Sequence, residues 1–311
     1  MAIEIKLYCP ENKSEWDSFL KGAKNGTFLF RRDYMEYHHN RFVDSSLLFY
    51  KDENLCALLP ANRDCDTLFS HQGLSYGGLV LSPFVSTVDV MDIFTLLKTW
   101  MKEQGIEKLY YKSIPHIYHQ LPGEEDLYAL FRNDAKLIGR NISSALDYRN
   151  RLTYSSQRKR GLSKARKTGL TVDESTDFSA FWEILSCNLK NKYNANPTHS
   201  LDEMIYLSAL FPTNIKLHTV IQGKNIVGGC VMYITDVVAH IQYIAATDDG
   251  KNSGAIDALV NYLINEYSDK RFFDYGISTE RNGAYLNEQL IRQKEGFGLR
   301  GIVYDTYLIE L

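Results

Sequence analysis

The run Ile241-Gln242-Tyr243-Ile244-Ala245-Ala246-Thr247-Asp248-Asp249-Gly250-Lys251-Asn252-Ser253-Gly254 decides the reading of this chain. Residues 241–247 have the apolar, β-branched make-up of a strand, and 248–254 that of a small polar loop. Residues 255–267 follow with helical spacing. A strand that opens through small residues into a helix start leaves several backbone N–H groups without partners. Such a turn suits an anion, here the pyrophosphate of an activated acyl donor. Group transfer is therefore the first expectation.

Outward from that run, 271–277 reads as a strand, and an amphipathic segment ends in Lys294-Glu295-Gly296-Phe297-Gly298. Residues 301–311 close the chain as another strand. Upstream, 216–222 and 226–235 form a strand pair around Gly223-Lys224-Asn225. The first half has a similar order. A strand at 3–8 precedes helices at 14–23, with Ser14 and Asp17 as a cap, and at 31–40. Hairpin strands at 46–51 and 55–61 lead to the glycine-rich stretch 70–78, then a strand at 79–81, a helix at 88–104 and a strand at 108–113. The repetition is one of order, not of residue identity. It predicts an α/β protein with mixed sheets and two related halves, 1–147 and 148–311, the second carrying the donor site.

Composition fits that division. At 311 residues the chain is long for one domain, and 44% hydrophobic residues suffice for two ordinary cores. A net charge of −3 is too balanced for nucleic-acid binding through overall electrostatics. Cys9, Cys56, Cys65, Cys187 and Cys230 are scattered and lack metal or disulfide spacing, which suits a reducing cytoplasm. The start, Met1 to Lys6, lacks signal-peptide design, and no apolar run approaches the ~20 residues that span a bilayer. A cytoplasmic protein without a transmembrane segment is expected. His38, His39, His116 and His119 have no third ligand at metal spacing, so no metal is expected.

Charge is concentrated at the junction. No acidic residue lies between Asp147 and Asp173, while Arg149, Arg151, Arg158, Lys159, Arg160, Lys164, Arg166 and Lys167 are basic. Such a run serves either as a solvated helix face or as the contact for a phosphate-bearing ligand, a nucleotide diphosphate or an RNA end.

Three segments resemble the tandem branch of the GNAT acyltransferase superfamily, which includes the Fem peptidoglycan-bridge transferases and related polysaccharide-cluster proteins. His71-Gln72-Gly73-Leu74-Ser75-Tyr76-Gly77-Gly78 is similar to the branch's hPxxxYGG segment, with Gln72 in place of proline. Residues 155–172 resemble its basic helix and turn. Phe273-Asp274-Tyr275-Gly276 with Lys294-Glu295-Gly296-Phe297-Gly298 resembles its yDfgG…FKxxFG signature. The resemblance implies two GNAT-like halves, an amide-forming reaction and an acyl-CoA donor, acetyl-CoA first. The donor would lie on Ile244, Ala245, Ala246 and Thr247, its anionic part at Gly250, Lys251, Asn252, Ser253 and Gly254. The best fit to the superfamily's Q/R-x-x-G-x-G/A loop is Lys251 to Ile256, with Ile256 where a small residue belongs. The tandem branch often uses aminoacyl-tRNA, which needs no intact CoA loop.

Acyl transfer to an amine needs a neutral nucleophile, an oxyanion stabiliser and a proton for the leaving group. Lys294 falls on the signature lysine, implied to stabilise the reaction centre; otherwise it is a last-turn lysine favoured by the helix dipole. Asp274, near a strand end, accepts a proton or orients the amine, or else caps a loop. The customary leaving-group tyrosine is missing before Gly296-Phe297, and Tyr285 is the nearest phenol. Candidate acceptor contacts are His71, Tyr76, Gly77, Arg158, Lys159, Arg160, Glu280 and Asn282. The expected activity is N-acyl transfer from acyl-CoA to an amino sugar, nucleotide-linked, in surface-polysaccharide synthesis. The alternatives are aminoacyl-tRNA-dependent transfer to a peptidoglycan precursor and a degenerate, non-catalytic ligand-binding or scaffold protein.

Overall fold

The computed structural model describes residues 3–311; Met1 and Ala2, the first residues of the amino-terminal stretch considered for a signal peptide, lie outside them. The chain divides into two units of mixed α/β structure. The first comprises residues up to Ile142 together with Thr279–Tyr285 and Val303–Leu311; the second comprises Ser143–Ser278 and Leu286–Ile302. The division differs from a single cut at 147/148. Strand Arg300–Glu310 adds its last residues to the first unit by pairing Thr306–Glu310 antiparallel to Lys108–Lys112. No local pattern announces a partner so distant in sequence.

In the first unit, Ile3–Leu7, Leu47–Lys51, Asn54–Leu59 and Val80–Leu81 form an antiparallel sheet in that order. Strands Thr67–Phe69 and Lys108–Lys112 pair in parallel. Helix Thr87–Glu103 buries Val90, Ile93, Phe94, Leu97 and Met101, its i, i+3, i+4 stripe, and starts at a Ser86–Asp89 capping box. Two sequence expectations need correction here. The first helix is Lys13–Leu20 with Asn12 as its N-cap residue, and Asp17 instead accepts a bond from Arg32 N (3.0 Å). The helix expected over 31–40 is one turn, Arg32–Met35, continued as the 3₁₀ turn Glu36–His38.

In the second unit the strands run Thr171–Ser175, Ile215–Gln222, Asn225–Ile234, Val238–Ala246, Phe272–Ile277 and then the end of Lys136–Asp147. All neighbours are antiparallel except Val238–Ala246 and Phe272–Ile277. Helix Ala255–Glu266 makes that parallel crossover and buries Leu259, Val260, Leu263 and Ile264. Helices Phe178–Tyr193 and Leu201–Leu210 fill a region that drew no assignment from sequence. Leu201–Leu210 has a legible signal, a Ser200–Glu203 capping box.

Candidate active site

The second unit contains a fork. Strands Val238–Ala246 and Phe272–Ile277 share three register pairs, Val238 with Phe272, Ala239 with Phe273 and His240 with Asp274. Beyond His240 they separate. Residues 241–246 then keep a ladder partner on one side only, Asn225–Ile234. A bulge between Val231 and Met232 leaves Gln242 as the extra residue, which re-aims the strand at the fork.

Asp274 stands at the crotch and is fully buried. Its Oδ2 accepts from His240 Nδ1 at 2.8 Å, and its Oδ1 accepts from Ser143 Oγ and from Gly276 N (3.3 Å). A buried carboxylate needs this many donors, because leaving it unpaired costs several kcal/mol. The bond to Nδ1 sets the tautomer: the neutral form of the imidazole carries its proton on that nitrogen and keeps Nε2 as the acceptor. Nε2 has no hydrogen-bond partner among the described residues. His240 was not singled out from sequence. Its partnership with Asp274 depends on a parallel register across 34 residues, for which no local signal exists.

Lys294 is buried in the last turn of helix Glu288–Glu295, so it is not the surface lysine that the dipole argument allowed. Its Nζ donates to the carbonyls of Gly276 (2.7 Å) and Ile277 (2.8 Å) and lies 5.3 Å from the Tyr275 ring centre. Burial pushes its ammonium down to about 8, and the Asp274 charge pulls the other way. The rest of the signature packs: Phe297 is fully buried between Tyr154 and Tyr275, and the Gly296 carbonyl accepts from Ser155 N (2.8 Å). Gly298 has φ +87°, and a Cβ there would stand 2.7 Å from the Leu152 carbonyl oxygen.

The expected polar loop is a helix. Asp248–Ser253 forms one and a half turns, with Thr247 as N-cap and Gly254 (φ 90°) ending it. Gly250 N donates to Thr247 Oγ1 (3.0 Å), Lys251 N to Thr247 O (2.8 Å), and Gly254 N to Lys251 O (3.3 Å). Local bonds thus engage amides that a pyrophosphate would need. Asp248 and Asp249 also place two carboxylates in the first turn, where they oppose an anion. The start of the next helix, Ala255–Glu266, is closed too. A Cβ on Gly254 would meet the Gly161 carbonyl at 2.7 Å, and Asp257 puts its own carboxylate in that first turn. The residues at 250–254 are therefore a poor fit to the CoA pyrophosphate. Ile244, Ala245 and Ala246 lie on the fork strand as expected, and the Ala246 carbonyl accepts from Asn188 Nδ2 at 2.9 Å. Asn188 Oδ1 in turn accepts from Lys251 Nζ at 2.7 Å.

The basic segment folds as helix Ser156–Lys167 and divides its charges. Arg158 turns inward, 2.9 Å from Asp257 Oδ1 and 5.4 Å from the Phe297 ring centre. It anchors the helix, which removes it from the phosphate-contact set. Lys159 and Arg160 are exposed with Lys164, Arg166 and Lys167.

The glycine-rich segment of the first unit is packed. His71 and Tyr76 are each 3% exposed, and Tyr76 donates to Thr27 Oγ1 at 3.3 Å. A Cβ on Gly77 would stand 1.8 Å from the Ser70 carbonyl oxygen, so this glycine serves backbone packing. Burial drives the His71 imidazolium down to about 3, with His38 adding to the effect. These three residues are thus withdrawn as acceptor contacts. Gln72, next to His71, instead lines a cavity of about 320 Å³ with Phe69, Tyr110, Lys112, Asn282 and Thr306. The Lys112 ammonium, lowered by burial to about 8, holds the segment through the Gln72 (3.2 Å) and Leu74 (2.9 Å) carbonyls. Glu280 and Tyr285 are exposed in the two-residue strands Thr279–Glu280 and Tyr285–Leu286. Tyr285 is 52% exposed.

Among the described residues no cluster of three His, Cys, Asp or Glu is set to hold a metal ion, and no helix is long and apolar enough to cross a membrane. No family model matches the chain, and no curated protein matches it in sequence. Solved structures do resemble it. FemX matches with TM-score 0.68 and 10% identity over 99% of this chain and 97% of its own. The L-PGS of Bacillus licheniformis matches with TM-score 0.60 and 11% identity, covering 96% of this chain and 90% of its own. A tandem GNAT protein from the clavulanic acid biosynthesis pathway has TM-score 0.52 and 9% identity, covering 99% and 98%. The chain shares its overall fold with these three structures, the last of them a tandem GNAT protein. Identities this low speak for the fold and not for the reaction.

Proposed function

We propose that this chain is an amide-forming acyltransferase, each unit one GNAT-like half, with the chemistry at the fork of the second unit. The observation that carries the reading is the convergence of Asp274, His240 and Lys294 where a half-paired strand edge opens. The free edge of 241–246 offers backbone N–H groups to an acyl carbonyl. Two Lys294 protons are committed to carbonyls, and the third is left for the negative charge of the tetrahedral intermediate. The acceptor amine attacks directly, without a covalent enzyme intermediate.

Aminoacyl-tRNA is the donor this site supports best. The CoA pyrophosphate fits 250–254 poorly, whereas the exposed face of helix Ser156–Lys167 suits a nucleic-acid backbone. The acceptor would be an amine of a cell-envelope precursor, and the five free cysteines accord with a cytoplasmic setting. Acyl-CoA transfer to a nucleotide amino sugar is the second reading, favoured by the strand-to-helix order after Ala246. Purified protein is offered alanyl-tRNA or acetyl-CoA, with UDP-glucosamine or a UDP-muramoyl pentapeptide as acceptor. Amide product from alanyl-tRNA, falling steeply with salt, supports the first reading; product from acetyl-CoA alone replaces it with the second. No product from either donor rejects both and leaves the non-catalytic alternative.

A further inference from the structure

We infer that His240 is the general base of this site, with Asp274 as its positioning residue; the inference rests on the acyltransferase reading. Asp274 is fully buried, so its carboxylate serves the protein's own groups. It holds His240 Nδ1 at 2.8 Å, while Ser143 Oγ and Gly276 N fix its other oxygen. This leaves one orientation and one neutral tautomer for the imidazole, with its lone pair on Nε2. The side chain is 16% exposed, at the point where the two strands part.

Gly276 provides the second observation. It lies two residues beyond Asp274 with φ +80°, and a Cβ there would stand 3.6 Å from His240 Cε1, the carbon between the two ring nitrogens. A side chain at 276 would rest on the imidazole, and glycine keeps that approach clear. Lys294 Nζ binds the Gly276 carbonyl, so cation and base are tied to the same backbone residue. A structural histidine that merely joins two strands needs neither a free nitrogen nor an open approach to it.

The chemistry then balances. The acceptor amine forms a C–N bond to the acyl carbon, and Nε2 takes the proton that the nitrogen must lose. When the tetrahedral intermediate collapses, the C–O bond of an ester donor (C–S of a thioester) breaks and the imidazolium returns the proton to the leaving atom. No oxidant, reductant or further reactant is required. Deleting a general base costs about 10²–10⁴-fold in kcat.

The test uses the full chain labelled with 15N-histidine and three variants, His240→Gln, His240→Ala and Asp274→Asn. At neutral pH the His240 signal of the wild type is expected to show a proton on Nδ1 and an unprotonated Nε2, and Asp274→Asn should remove that preference. In whichever donor and acceptor pair the wild type turns over, His240→Gln should lose about 10²–10⁴-fold in kcat with KM little changed. Added imidazole should restore part of the rate to His240→Ala, which a purely structural histidine would not allow. Circular dichroism of each variant separates misfolding from loss of chemistry. A proton on Nε2 in the wild type, or full turnover by a folded His240→Gln, overturns the inference and leaves the acyltransferase reading standing. A wild type inert toward all four pairs overturns both.

Discussion

A buried lysine and a buried histidine both make this protein more stable as pH rises, in two separate windows. Lys294 has its ordinary value of 10.5 in the unfolded chain and about 8 in the folded one. Below 8 the folded state carries a buried ammonium at a penalty; as pH rises from 8 to 10.5 the folded lysine is neutral while the unfolded one is still charged, so stability increases. Relative to Lys294→Met, which has no such titration, the wild type should gain about 3 kcal/mol between pH 7.5 and 10.5, because each tenfold change in proton affinity is worth about 1.4 kcal/mol. Urea titrations of both proteins at the two values measure it, and parallel changes would disprove the buried ammonium. His71 works at the acid end. Its value falls from 6.5 unfolded to about 3 folded, so the stability from its neutral form is intact above 6.5 and is lost as pH falls toward 3. His71→Asn keeps a residue that tolerates the φ of +67° found there and removes the titration. Between pH 7 and 4.5 the wild type should lose about 3 kcal/mol more than this variant, by the same conversion.

Helices show how a favourable local rule is overridden by a neighbour. Gly161 sits inside the basic helix Ser156–Lys167, where alanine would favour an isolated helix by about 1 kcal/mol. Here a Cβ at 161 would stand 2.3 Å from the Asp257 carboxylate, which itself pairs with Arg158. Gly161→Ala should therefore destabilise the protein by about 1–3 kcal/mol through overpacking. In an Asp257→Ala background the same change should cost much less, and equal costs in the two backgrounds would remove the steric account. The example also marks what could be read from sequence. Periodicity gave the helix at 88–104, and the polar linker gave the 46–51/55–61 hairpin. In the 248–254 segment Gly250, Asn252, Ser253 and Gly254 have loop composition, yet the segment is helical. Thr247 overrides that composition by capping a helix, and Gly254 at φ 90° ends that helix. Of the candidate site, Lys294 and Asp274 were legible through the signature they match. His240, Ser143 and Asn188 were not, because each acquires its partner through sheet register or helix packing.

At the scale of the whole molecule, the first unit is completed by chain from the far end of the sequence. Thr306–Glu310 pairs along Lys108–Lys112, Ile309 is 2% exposed in the first unit's core, and Arg140 grips Asp305 through two bonds of 2.7 and 2.8 Å. Gly283 fits where a Cβ would stand 1.9 Å from the Arg140 carbonyl oxygen. A cut at 147, the boundary that pattern alone suggests, removes all of this. Strand Lys108–Lys112 would then lose its antiparallel partner and present a bare edge, the usual template for aggregation. Burial of Ile309 alone contributes about 1.5–3 kcal/mol. The five ladder pairs add several hydrogen bonds of about 1 kcal/mol each, against a total stability of about 5–15 kcal/mol for a domain. Residues 1–147 expressed alone should therefore lack cooperative unfolding and aggregate. The same fragment joined through a flexible Gly/Ser linker to residues 303–311 should recover a single sharp transition, since the linker costs little in loop-closure entropy. Thermal melts by circular dichroism, with light scattering for aggregation, compare the two. Sharp, matching transitions in both would mean that the returning strand contributes nothing to the first unit's stability.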